Sequence, residues 1–92
     1  MKYDKIIEEL STIAKELKIK IRKVNNIESE GLCIIDKKKI ILLNKNSSLN
    51  RTVHTLAVSL YEAGIDNIYV KPVIREIIEK EVNNKQARGT IL

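Results

Sequence analysis

Two fully apolar runs, Leu32-Cys33-Ile34-Ile35 and Ile40-Ile41-Leu42-Leu43, flank a charged centre, Asp36-Lys37-Lys38-Lys39. Isoleucine suits the pleated, half-buried surface of a strand, and aspartate readily opens a turn. The segment LCIIDKKKIILLN is therefore predicted to be a β-hairpin. Its centre lacks Asn-Gly and Asp-Gly, which leaves the turn type open. Because both runs are apolar at every position, part of each sheet face is expected to be covered.

The flanking segments change period. From Tyr3 to about Leu17 the residues Ile6, Leu10, Ile13 and Leu17 recur at helical steps, widened by Ile7 and Ala14. Asp4 is the expected N-cap of this helix. KIKIRKV then alternates, with Ile19 and Ile21 on one side and Lys20 and Arg22 on the other, as in a strand with one wet face. NNIESEG is a polar connection to the hairpin. After it, Ser47 or Ser48 is placed to cap a helix running to about Ala63. Leu49, Val53, Leu56 and Leu60 are expected to form its buried stripe, with Ala57 beside them, and Gly64 ends it. IDNIYV bridges to Pro72, which a helix tolerates in its first turn. Residues 72–82 form the last predicted helix, with Val73, Ile74, Ile77 and Ile78 inward. Arg75–Glu79 and Glu76–Lys80 are spaced as i,i+4 pairs. Residues 83–92 lack a helix-length apolar pattern and are expected to be a flexible tail.

The element order is α-β-β-β-α-α. The predicted fold class is α+β: an N-terminal helix, a three-stranded mainly antiparallel sheet and two C-terminal helices, in a single domain over 1–82. Ninety-two residues suffice for one such domain, which buries about 60–65% of its unfolded surface. No run of 18 apolar residues predicts a membrane span, and the N-terminus lacks a signal-peptide core, so a cytoplasmic home is expected. Cys33, the single cysteine, can form no internal disulfide and reads as a small buried hydrophobe.

The stretch KKIILLNKNSSLNRTVHTLAVSLYEAG resembles the strand-to-active-helix segment of minimal zincin metallopeptidases. In that family an I-x-L-N strand end leads through a polar loop to a helix bearing L-A-H-E-x-x-H. Leu56-Ala57 matches the leading pair. Val58 stands where the first zinc histidine would be, Ser59 at the general-base glutamate and Glu62 at the second histidine. The resemblance spans roughly residues 18–64 and implies a zincin-like frame. It does not carry the chemistry across. Catalytic zinc in this family needs two histidines one turn apart and a glutamate to take the water's proton. Val58 has no lone pair and Ser59 no carboxylate, so neither a catalytic residue nor a metal or other cofactor is expected.

His54, the single histidine, lies two helical turns from Glu62, about 12 Å along the axis. One ion cannot bridge that span, and a core-edge role is expected instead. The three glycines are isolated, so no phosphate loop is formed.

Seventeen basic against 12 acidic residues give a net charge of +5. Lys20, Arg22, Lys37, Lys38 and Lys39 are a candidate basic binding surface. Tyr69, Lys71 and Arg75 are a candidate recognition segment at a helix start. The leading expectation is a non-catalytic interaction module, a pseudoenzyme with a metallopeptidase-like fold and a protein partner. The alternative is a basic protein associated with nucleic acid or the ribosome. Three tyrosines and no Phe or Trp offer few platforms for base stacking. Oligomeric state is left open.

Overall fold

A computed structural model describes residues 2–25 and 29–90, with side chains to Asn84. Residues 26–28 of the expected polar connection lie outside the described residues, as do 91–92 of the expected tail.

Helix α1 spans Tyr3–Glu16 and buries Ile6, Leu10, Ile13 and Ala14. Its N-cap is Lys2 and not Asp4, which instead sits in the first turn, where a negative charge faces the positive end of the helix. The helix closes through Lys18 at φ 61°. The Lys18 amide donates to the Lys15 carbonyl and the Ile19 amide to the Ala14 carbonyl. This pair of bonds is a Schellman closure, and it sets Ile19 into the core as the chain turns toward the sheet.

The strands are β1 (Lys20–Val24), β2 (Gly31–Ile35) and β3 (Lys38–Asn44). Their order is β1-β3-β2, with β3 parallel to β1 and antiparallel to β2. The sheet is thus mixed, and the hairpin's second strand is its centre. Seven residues let β3 pair with β2 over Lys38–Leu42 and with β1 over Ile40–Asn44. The central place also suits its composition, since Ile41 and Leu43 are almost fully buried. Asp36 and Lys37 form the two-residue turn with φ of 51° and 66°, the left-handed geometry that matches strand twist.

Ser48 caps α2 (Leu49–Ala63) by accepting from the Arg51 amide at 3.4 Å, and Gly64 closes it at φ 95°. α3 runs Pro72–Thr90, past the end expected at residue 82. Its buried line is Ile74, Ile78 and Val82, while Val73 is exposed. Neither Arg75–Glu79 nor Glu76–Lys80 is among the ion pairs of the described residues.

α2 is the hub. It packs on α1 and α3 and on strands β2 and β3, whereas α3 reaches no described strand. The layers are sheet, then α1 with α2, then α3. Such enclosure explains why seven residues of α2, from Thr52 to Leu60, are buried, whereas Leu49, expected in the buried stripe, is the first residue of the helix and 49% exposed. Among the described residues, helices pack on one face of the sheet. The expectation that both faces are partly covered fails at the hairpin end, where Ile34 is 67% and Ile35 47% exposed.

Candidate functional site

Two stripes run along α2. Val53, Leu56, Ala57 and Leu60 enter the core. Arg51, Thr55, Val58 and Glu62 recur at steps of four, three and four and line a cavity of about 720 Å³, together with His54 and Ser59. The other walls are Glu30 and Gly31 at the start of β2, and Glu81 and Asn84 of α3, with Tyr3 at the rim. Val58, Ser59 and Glu62, singled out from the sequence, therefore share one cavity. Val58 and Ser59 are buried there, at 7% and 1% exposure.

Each wall is tied to α2 by a carboxylate. Glu30 Oε1 accepts from Arg51 Nε at 2.8 Å and from Ser47 Oγ at 3.0 Å, while Oε2 accepts from the Asn44 amide at 3.1 Å. Burial of this carboxylate would push its pKa up. The bonds from Arg51, Asn44 and Ser47 outweigh burial and hold it below its ordinary 4.5. Across the cavity, Glu81 Oε1 lies 2.8 Å from His54 Nδ1, joining α3 to α2. His54 is partly exposed, its side chain at 30%, and this hydrogen bond links the two helices.

Gly31 adopts φ 134°, which side chains rarely take. A Cβ built there would meet Ser59 Oγ at 4.0 Å, so backbone shape and not lack of room calls for glycine. Among the described residues β2 has β3 on one side and no strand on the other, which leaves one main-chain edge without a sheet partner there.

The wall residues Glu30 and Glu81 did not emerge from the sequence. Both are placed by long-range contacts, 21 residues from Arg51 and 27 from His54. Local spacing carries no trace of either. Chemically, the cavity offers carboxylates, amides and hydroxyls around an apolar floor at Val58. No three His, Cys, Asp or Glu side chains converge to hold a metal among the described residues.

The remaining candidates lie elsewhere. Lys20, Arg22 and Lys38 share the sheet face away from the helices, Lys37 is in the turn, and Lys39 has the opposite strand parity. The five cations thus divide between two faces and a turn. Tyr69 is 78% exposed, and Lys71 Nζ lies 3.0 Å from Glu9 Oε2. Both border a second cavity of about 180 Å³, without Arg75. No described helix is long and apolar enough to cross a membrane. Compared with protein-family models, curated proteins and solved structures, the chain gives no match.

Proposed function

We propose that this chain is a non-catalytic binding module on a zincin-like frame, and that a segment of a protein partner sits in the groove between α2 and β2. The observation carrying this reading is the position of Val58 and Ser59 on the groove's α2 wall. A groove of this volume suits a side chain or two of a ligand. The α2 positions matching the zincin motif offer neither a histidine pair nor a general base. The free edge of β2 supports an extended ligand, because main-chain pairing to an exposed strand provides affinity while neighbouring pockets select side chains.

Selection of displayed peptides on the purified chain, followed by amide shift mapping, tests the proposal. Shifts centred on Gly31, Leu32, Val58 and Ser59, with the peptide recovered intact, support it. Cleavage of the peptide, or shifts confined to other faces, overturns it.

A further inference from the structure

The sheet face opposite the helices is a second surface with its own chemistry. Strand alternation and register place Val24, Cys33, Ile35, Ile40 and Leu42 on it. None belongs to the main core cluster or to the residues packed against it. Ile35 is 47% exposed, Val24, Cys33 and Leu42 are half-buried, and Ile40 between them is buried at 8% exposure. Lys20, Arg22 and Lys38 share this face, all exposed. The β1, β2 and β3 segments contain no aspartate or glutamate. The surface is therefore aliphatic along β2 and the middle of β3, and cationic along the β1 edge and at the Lys38 end of β3.

We infer that this face docks an acidic amphipathic helix of a protein partner. The dimensions fit one helix. Each pairing is five residues long, about 17 Å, and neighbouring strands lie about 4.8 Å apart. The face is thus roughly 10 Å wide over Ile40–Leu42, where all three strands run abreast, and two strands wide beyond it. A helix is about 10 Å across, and 17 Å of it is about 11 residues. Its apolar stripe would cover Ile35 and Leu42 over the buried Ile40, and carboxylates along one flank and at one end would meet Lys20 and Arg22 of β1 and Lys38 of β3. Nucleic acid fits less well. Phosphates would find the border cations, but the centre holds aliphatic side chains and no aromatic for a base to stack on.

Three probes test this on the full chain by amide shift titration. They are a stapled 12-residue helix with leucines at i, i+3, i+4 and i+7 flanked by glutamates, the same helix with lysines for glutamates, and a 12-residue oligouridylate. The acidic helix is expected to shift the amides of Arg22, Cys33, Ile40 and Leu42. The variant Lys20→Glu/Arg22→Glu/Lys38→Glu should weaken it at least about tenfold, since rim charges govern such encounters, without disturbing the groove amides. The basic helix should bind at least about tenfold more weakly than the acidic one. Equal binding of both helices, tighter binding of the oligouridylate on this face, or no shifts there with millimolar acidic helix would each overturn the inference. Because the groove residues are read in the same spectra, failure here is distinguishable from failure of the groove proposal.

Discussion

Glu30, one residue before β2, receives a 2.8 Å bond from Arg51, in the first turn of α2. The same carboxylate bonds the end of β3 at Asn44 and the loop at Ser47. One side chain, 6% exposed, thus fixes three consecutive segments around the mouth of the groove. Replacing Glu30 by Gln keeps its shape and removes its charge. The variant should lose about 1–3 kcal/mol, as befits hydrogen bonds to a charged group, read from the urea midpoint at neutral pH.

The pH dependence follows from the same contacts. The folded pKa of Glu30 lies below its ordinary 4.5, so the unfolded chain takes up this proton first as acid is added. Its stabilisation is present above about pH 4.5 and is lost as pH falls through the lowered value. Acid titration of the native chain should show a loss in that window that Glu30→Gln lacks. Equal acid limbs in the two proteins would show that this carboxylate does not contribute.

The turn makes an opposite prediction. Lys37 holds φ 66°, an arrangement glycine adopts without a Cβ penalty. Lys37→Gly should stabilise the chain by about 0.5–1 kcal/mol and raise its thermal midpoint, despite removing a cation. A lower midpoint would mean that Lys37 supports the fold through a contact outweighing its backbone strain.

These elements show how far local pattern reached. Helical period identified α1 and α2, and the strand order of the chain gave the α+β class. The two-residue turn and the parallel β1–β3 pair were not legible, because short-range pattern does not say which strand is central. On α2 the positions compared with the zincin motif, Val58, Ser59 and Glu62, line the cavity. The opposing walls depend on long-range pairing and left no signature. α3 was expected to stop where its apolar period fades after Val82, yet its backbone remains helical to Thr90.

Docking of α3 rests on a narrow line of side chains. Ile78 is fully buried between α2 and its own helix neighbours Ile74 and Val82. Ile78→Ala should cost about 2–5 kcal/mol, the usual range for such a truncation in a packed core. A denaturant series reads this as a lower midpoint. A cost near zero would place α3 outside the cooperative unit.

The zincin resemblance has a direct chemical test. Val58→His, Ser59→Glu and Glu62→His together install the missing motif on the cavity wall, with the histidines about 6 Å apart along the axis. Zinc titration by calorimetry should show binding at least about tenfold tighter than in the native chain, since paired histidines at this spacing suit the ion. Equal affinities would remove the support that the motif spacing gives to a zincin-like frame.

The most direct test of the groove is to fill it. Thr55 is half-buried and lines the cavity beside Val58, so Thr55→Trp would occupy the space of a ligand side chain. Affinity for a peptide selected on the native chain should fall at least about tenfold, at a thermal midpoint within a few degrees of native. Unchanged affinity in this folded variant would contradict binding in the groove.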